Sequence, residues 1–185
     1  MDTGELPEGW ASWAVKPIEP GNRRSVDELL VASGRIARTA MVRRVIDRPP
    51  ASPMRRRVFT SAIRGAYGLF NRGDVGFLDG AYTEDCALDF EAFEAVGLPR
   101  AVRGRKATAD YMTELREALG VTYLPRLIID PGGATLAGMA EFETVGKSSG
   151  VALEDEHWNL WTIKNGLVAK QRISADRDAI LAELH

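Results

Sequence analysis

The hydrophobic pattern of this sequence changes its period at Gly120. Before Gly120, apolar residues recur every three or four positions, which is the spacing of amphipathic helices. After Gly120, strand-forming runs are separated by glycine turns. Asn165-Gly166 lies between two such runs and is the strongest short signal for a β-hairpin. Helices followed by hairpin-linked strands predict an α+β fold rather than an alternating α/β fold.

The first predicted helix has a clear beginning. Ser25 and Glu28 have the spacing of a capping box, in which each side chain satisfies a backbone N–H near the helix start. The helix is predicted over residues 25–46, although Gly34 disfavours an unbroken one. Helical spacing gives it a buried face made of Val26, Leu29, Leu30, Ala37, Ala40, Met41 and Val45.

Further elements follow from the same rules. Helices are predicted over residues 58–71 and 106–119, with Asp74 as the cap of a short helix between them. Pro125 lacks a backbone N–H, so the predicted strand over residues 122–130 is expected at an edge of the sheet.

A proline-rich stretch near residue 50 predicts a division of the chain. Residues 1–55 form an N-terminal extension of irregular chain plus one helix, and residues 56–185 form the main domain. Trp10 and Trp13 indicate that the extension is ordered, because only burial of large side chains offsets the entropy cost of ordering a loop. The two tryptophans are expected either on the outer surface of the domain or in a lid over a pocket.

Composition excludes several classes of function. The 185 residues carry a net charge of −2, with residues 1–60 basic and the remainder acidic, so nucleic acid is not an expected partner. No apolar run is long enough to span a membrane, and the acidic N-terminus is unlike a signal peptide. Cys86 is the single cysteine, which favours the reducing cytoplasm. With two histidines and one cysteine, a metal site is not expected, and no phosphate loop or nucleophile elbow is present.

The chain contains, in this order, YGLFNRGDVGFLDGAYTEDCAL, VRGRKATADYM and HWNLWTIKNGLVAKQRISADRDAI. The first stretch has a helix that ends at Gly-Asp and leads to a strand, and the second has an arginine-glycine entry to a helix. The third has a tryptophan-bearing strand that turns at glycine and returns to an aspartate. This series resembles the nuclear-transport-factor-two-like (NTF2-like) superfamily, specifically its SnoaL-like and ketosteroid-isomerase-like branch. The resemblance covers residues 58–184 and leaves residues 1–55 outside.

The resemblance implies a cone-shaped, curved antiparallel sheet wrapped around helices, a cystatin-like α+β half-barrel with an apolar pocket. It also implies a homodimer through the outer face of the sheet. The strand around Trp158 and Leu160 is apolar on both faces, which agrees with burial on both sides.

Four residues are candidates for catalysis. Asn159 is expected to face the pocket, where its amide could donate to a developing oxyanion; the alternative is a buried amide satisfied by neighbouring backbone. His157 shares that face and has an unperturbed pKa near neutrality; the alternative is a packed or rim residue. Asp176 resembles the late acidic residue of the family, although it could equally cap the last helix. Asp89 lies one residue before Phe90, which matches the family's carboxylate position, and adjacent strand residues face opposite sides.

The predicted substrate-binding residues are Tyr67, Phe90, Tyr111, Glu141, Trp161 and Gln171. Tyr67 lies one residue past the family's phenolic donor, and Glu141 could equally be a solvated surface residue. The leading hypothesis is a cofactor-independent enzyme, such as a cyclase, isomerase, dehydratase or epoxide hydrolase. Its substrate would be a hydrophobic small molecule, such as a polyketide or terpenoid, and its chemistry acid/base catalysis. The alternative is a non-catalytic module that binds a ligand or a protein through the same cone.

Overall fold

The computed structural model describes residues 6–19, 21–32, 35–50, 52–91, 98–145 and 152–184. Seven strands of this described part form one sheet in the order β1-β4-β5-β6-β7-β2-β3. The strands are β1 Ala11–Ala14, β2 Tyr82–Phe90, β3 Ala101–Arg103, β4 Thr122–Asp130, β5 Thr135–Val145, β6 Ala152–Lys164 and β7 Leu167–Ser174. The helices are α1 Val26–Ala32, α2 Arg35–Val45, α3 Pro53–Asn71, α4 Leu78–Ala81, α5 Arg105–Leu119 and α6 Arg177–Leu181, with a 3₁₀ turn at Val75–Phe77. The predicted α+β cone is confirmed.

The second half of the sheet is a run of antiparallel hairpins from β4 to β7. The predicted turn between β6 and β7 is present, with φ of 55° at Asn165 and 79° at Gly166. These positive angles at both central residues are those of the tight turn that suits hairpin twist. β2 differs from the prediction because it joins β7 in parallel. Parallel neighbours need a long crossover, and here α5 and β4 to β6 lie between the two strands in sequence.

The main core lies between the sheet and helices α3, α4 and α5. Its largest fully buried side chains include Phe90, Leu69, Leu78, Leu88 and Leu115. α5 begins at Arg105 and ends at Gly120, as predicted within a residue. The helices therefore fill the concave side of the sheet, where the resemblance places a pocket.

The N-terminal extension is part of this sheet. β1 pairs with Leu127–Asp130 of β4, so β4 is an internal strand, and the prediction that it lies at an edge was wrong. Pro125 is tolerated because β1 covers the second half of β4 alone, and because the pairing with β5 shifts register beside Pro125. Trp10 and Trp13 contact opposite faces of the sheet. Trp13 packs in an inner cluster and donates to Thr60 Oγ1 at 2.9 Å, whereas Trp10 packs near the C-terminal helix.

The buried face predicted for residues 25–46 was wrong in most positions. Val26, Leu29, Leu30 and Met41 are exposed by 72, 50, 43 and 36%, Ala40 is also exposed, and the side chain of Ala37 lies outside the described set. α1 buries Glu28 and Val31 instead. The capping box is present, but Glu28 also accepts from Arg72 Nε at 2.5 Å, which turns this face of α1 toward α3.

A buried ion pair fastens α3 to the sheet. Arg55 and Asp130 are both fully buried, with Nε to Oδ2 and Nη2 to Oδ1 distances of 2.7 and 2.8 Å. Arg55 also donates to the carbonyl groups of Val45 and Ile46 at the end of α2. The predicted boundary at residue 55 therefore falls within α3, at the residue that joins the extension to the rest of the fold.

The outer face of β6 is covered by this chain itself. Trp158 and Leu160 pack with Ile180 and Leu184 at the C-terminus, together with Leu6 and Trp10. Both strand residues are only 7% exposed. Their apolar character is thus explained by intramolecular packing, which removes the observation that motivated a homodimer through this face.

Candidate active site

An apolar cavity of about 130 Å³ lies between the helices and the concave side of the sheet. Its walls come from helices α1 to α5 and the 3₁₀ turn, from strands β2, β4, β5, β6 and β7, and from the turn between β6 and β7. Aromatic side chains dominate the lining, with Phe59, Tyr67, Phe70, Phe77, Tyr82, Phe90, Tyr123 and Trp161. A cavity of about 150 Å³ in an engineered core stays dry and admits benzene, so this cavity has the size for one aromatic ring.

Two tyrosine hydroxyls at this cavity have no hydrogen-bond partner within the described residues. The hydroxyl oxygens of Tyr67 and Tyr123 are buried and unpartnered, and the two rings lie 5.8 Å apart. Burial raises the pKa of both phenols, and each is raised further by a neighbouring tyrosine. Both groups are therefore protonated donors at neutral pH. An unsatisfied buried hydroxyl is costly, so a ligand oxygen within reach of either hydroxyl would gain a donor.

A third tyrosine begins a hydrogen-bonded chain that leads away from the cavity. Tyr82 donates from its hydroxyl to Gln171 Oε1 at 2.6 Å, and Gln171 Nε2 donates to Asn159 Oδ1 at 3.0 Å. All three side chains are buried. Tyr82 and Gln171 line the cavity, whereas Asn159 lies behind Gln171. This chain fixes the orientation of the Gln171 amide.

The structure brings together four of the predicted substrate-binding residues. Tyr67, Phe90, Trp161 and Gln171 all line the cavity. Phe90 belongs to β2 and stacks on Tyr111 with a centroid distance of 4.4 Å. The one-residue offset of Tyr67 from the family's donor position did not remove it from the cavity. One residue on a helix rotates a side chain by about 100°, whereas neighbouring residues on a strand face opposite sides.

The two strand candidates lie behind the cavity lining. Asn159 is fully buried, and its described contacts are with Gln171 and, at 3.5 Å from Nδ2, the carbonyl oxygen of His157. His157 stacks on Phe142 at 4.7 Å and lies 6.0 Å from the ring of Tyr123. Burial lowers the pKa of His157, against a smaller opposing effect of Asp155. The imidazole is therefore neutral at pH 7, one layer behind Tyr123.

The remaining candidates lie outside the cavity lining. Asp89 pairs with Arg100 at 3.2 Å, beside a groove on the outer face of the sheet. Asp176 caps α6 by accepting from the Ala179 N–H at 3.0 Å, which is the alternative that the sequence left open. Glu141 pairs with Arg126 at 2.5 Å. Tyr111 is buried but does not line the cavity, and burial raises its pKa to about 12.

Sequence analysis missed Tyr82 and Tyr123. Tyr82 is the first residue of β2, within the first stretch quoted for the resemblance, and Tyr123 alternates with half-buried neighbours in β4. The period-2 pattern of β4 places Tyr123 on the face of Val121 and Pro125, which are buried too. The alternation in β4 could therefore have identified Tyr123 as a buried residue. Its assignment to the cavity also requires knowing which face of the sheet is concave.

Comparison with known proteins gives the fold and no closer relationship. No family model matches the sequence, and no curated protein does either. TerC, co-crystallised with polyporic acid, superimposes with a TM-score of 0.55 and 18% identity, over 66% of this chain and 96% of TerC. An NTF2-like protein of unknown function from Burkholderia pseudomallei gives 0.55 and 15% over 65% and 92%. IdmH, a proposed polyketide cyclase from Streptomyces antibioticus, gives 0.52 and 17% over 66% and 94%.

The fold is that of the NTF2-like proteins. At these identities the likeness shows the architecture alone, and the chemistry must be argued from the residues at the cavity. Each NTF2-like structure leaves about a third of this chain without a counterpart.

Within the described part of this chain, the cavity lining contains no carboxylate and no imidazole. Among the same residues, no group of three histidine, cysteine, aspartate or glutamate side chains is placed to hold a metal ion. None of the described helices is long and apolar enough to cross a membrane. The polar groups at the cavity are hydroxyls and one amide, which can donate to an oxygen but cannot remove a proton at neutral pH.

Proposed function

We propose that this protein is a cofactor-independent enzyme that acts on a hydrophobic small molecule carrying a carbonyl oxygen. The supporting observation is the pair of buried, unpartnered hydroxyls of Tyr67 and Tyr123 in an aromatic cavity. Donors held in an apolar site stabilise negative charge that develops on a carbonyl oxygen, and they need no reorganisation during the reaction. Enolisation develops such a charge, so isomerisation and cyclisation through an enolate are the reactions that this site favours.

In such a reaction one proton is removed from the substrate and later returned to it. The C–H bond next to the carbonyl breaks, its proton passes to water, and the electron pair forms an enolate whose oxygen accepts from Tyr67 and Tyr123. Return of that proton from the hydronium ion to another carbon isomerises the compound. Attack of the enolate carbon on a second carbonyl closes a ring, and the proton then returns to the new alkoxide oxygen. The fold relationship to IdmH supports a ring-forming reaction by analogy only.

A non-catalytic ligand-binding protein is the second candidate. It is favoured by the absence of a carboxylate or imidazole from the described lining. General acid–base catalysis usually contributes about 10²- to 10⁴-fold, and a site without a base forgoes that contribution. Both the enzyme and the non-catalytic protein would bind a ring compound that carries an oxygen atom. Catalysis of enolisation distinguishes the two.

Acetophenone is a suitable probe, since it combines one aromatic ring with an enolisable ketone. In D₂O, exchange of its methyl protons measured by NMR reports enolisation directly. An enzyme is expected to accelerate the exchange, and Tyr67→Phe or Tyr123→Phe is expected to lower the acceleration by about 10²- to 10³-fold. Tyr111→Phe is the matched control, because its hydroxyl is also buried and unpartnered but does not line the cavity. Binding without any acceleration would favour the non-catalytic candidate.

The homodimer that the resemblance implies stays a prediction. With Trp158 and Leu160 covered by the chain's own C-terminus, another surface would have to form it. Sedimentation at micromolar concentration decides the oligomeric state.

A further inference from the structure

α1 and α2 supply part of the cavity wall, although they lie outside the stretch that resembles the NTF2-like superfamily. Val31 of α1 and Val42 of α2 both line the cavity, and both are nearly fully buried. They face side chains of the shared cone, among them Phe59, Trp161 and Leu136. The extension thus takes up space that would otherwise belong to the cone's interior.

α1 is held in place by close packing and ion pairs with α3. A Cβ atom on Gly65 would lie 2.6 Å from Val31 Cγ2, so the absence of a side chain lets α1 approach. Glu28 pairs with Arg72 at 2.5 Å, and Ser61 donates to Asp27 Oδ1 at 2.6 Å. Both contacts lie in the first turn of α1, about one turn before Val31, and Gly65 receives the helix at Val31 itself, so the position of Val31 in the wall is fixed.

α2 is held against the turn between β6 and β7. A Cβ atom on Gly166 would lie 2.6 Å from the carbonyl oxygen of Thr39, and the φ of 79° at Gly166 also disfavours a side chain. Arg43 Nε donates to the Asn165 carbonyl oxygen at 3.0 Å. Arg55 holds the far end of α2 through the carbonyl groups of Val45 and Ile46. Val42 lies between these two attachments.

We infer that Val31 and Val42 determine the size of the ligand, and that they restrict the cavity to compounds with one ring. This inference rests on the proposed function only in assigning the cavity as the substrate site. The size of about 130 Å³ is compatible with one ring, and both valine side chains form part of the wall that bounds this volume. The extension is therefore a specificity element, and shortening either valine is expected to enlarge the accepted ligand.

Toluene and naphthalene are the probes, because neither depends on the tyrosine donors. Calorimetric titration of the full chain is expected to show toluene binding at least tenfold more tightly than naphthalene. Val42→Ala is expected to shift this ratio toward naphthalene by about tenfold, since the added carbons become buried. Val31→Ala is a second variant with the same expectation. Val45→Ala is the matched control, because it removes the same two methyl groups from a fully buried valine of α2 that does not line the cavity.

The outcomes separate the two proposals. Equal ratios in the Val42→Ala and Val45→Ala proteins, equal binding of both hydrocarbons by the wild type, or no binding of either would overturn the inference about ligand size. A shifted ratio without any acceleration of acetophenone exchange would support the size inference and overturn the proposed enzyme. The reverse result would leave the enzyme standing with a different size determinant.

Discussion

Gln171 Nε2 donates to Asn159 Oδ1 at 3.0 Å, and Gln171 alone of the two lines the cavity. Asn159 therefore acts on the cavity through Gln171, as a positioning residue. Its removal would free the Gln171 amide from its orientation and leave a buried N–H group without an acceptor.

Asn159→Leu is expected to lower the free energy of unfolding by about 1–3 kcal/mol, because Gln171 Nε2 loses its acceptor. Urea unfolding measures this loss. The triple variant Asn159→Leu/Gln171→Leu/Tyr82→Phe is expected to recover part of it, since it removes every polar group of this hydrogen-bonded chain. Full stability in the single variant would contradict the hydrogen bond.

Tyr67→Phe and Tyr123→Phe are expected to stabilise the free protein while weakening its binding of oxygen-bearing ligands. Each change removes a buried hydroxyl that has no described partner, and such a group costs about 1–3 kcal/mol. At about 2–4 °C per kcal/mol for a chain of this length, thermal melting resolves the effect. Tyr82→Phe is the contrast, because its hydroxyl bonds Gln171 and its loss should lower the melting temperature. A fall in all three variants would argue against a binding role for the two unpartnered hydroxyls.

The parts of the fold that could be predicted are those specified by short sequence signals that tertiary packing does not override. Asn165-Gly166, the Gly120 stop and the Ser25–Glu28 capping box depend on backbone geometry within a few residues, and each is present. The face of residues 25–46 could not be predicted, since Arg72, far along the chain, determines that Glu28 is buried while Leu29 is exposed.

The cavity could be predicted only in part. Strand parity separated Phe90 from Asp89, and the structure places Phe90 at the cavity and Asp89 beside the outer groove. The same parity put Asn159 and His157 on the inner face, but it could not show that Gln171 and Tyr123 stand between them and the cavity. Whether a side chain reaches the cavity or lies behind a lining residue depends on the side chains of the neighbouring strand. The periodicity of a single strand does not specify these.

Asp130→Ala is expected to cost about 3–5 kcal/mol, because it leaves the fully buried Arg55 without its counter-charge. The control is Glu141→Ala, which breaks the pair with Arg126. Both of those side chains are about one-third exposed, so a loss of about 0.2–1 kcal/mol is expected. Chemical denaturation of the two variants gives the comparison. Equal losses would mean that burial of the Arg55 pair carries no energetic weight.

Stability is expected to fall on acidification below about pH 6.5 through His157. Burial lowers the pKa of His157 in the folded protein, so the unfolded chain takes up a proton first. The unfolded chain is therefore favoured as the pH falls from the ordinary histidine pKa of 6.5 toward the lowered one. The contribution is fully present above pH 6.5 and is lost by up to about 1.4 kcal/mol per pH unit within that window. Urea midpoints at pH 7, 6 and 5 should decline less in His157→Phe. Parallel declines would contradict a buried neutral imidazole.

Deleting residues 1–50 is expected to abolish folding. The deletion removes β1 from β4 and five nearly fully buried side chains: Trp13, Val15, Val31, Val42 and Val45. At about 1.5–3 kcal/mol each, their burial is comparable to the whole stability of a typical domain. Circular dichroism and thermal melting of the truncated chain test this. A truncated protein with an unchanged melting temperature would show that the predicted extension is a tether.

The order of the strands also governs when this chain can fold during its synthesis. β1 is made early but pairs with β4, and β2 waits for β7, the last strand, to become its parallel neighbour. Pairings between distant segments close slowly and leave strand edges exposed in the meantime. A ribosome that stalls before Leu167 would therefore present β2 without β7, and chains in that state are the ones that we expect chaperones to hold.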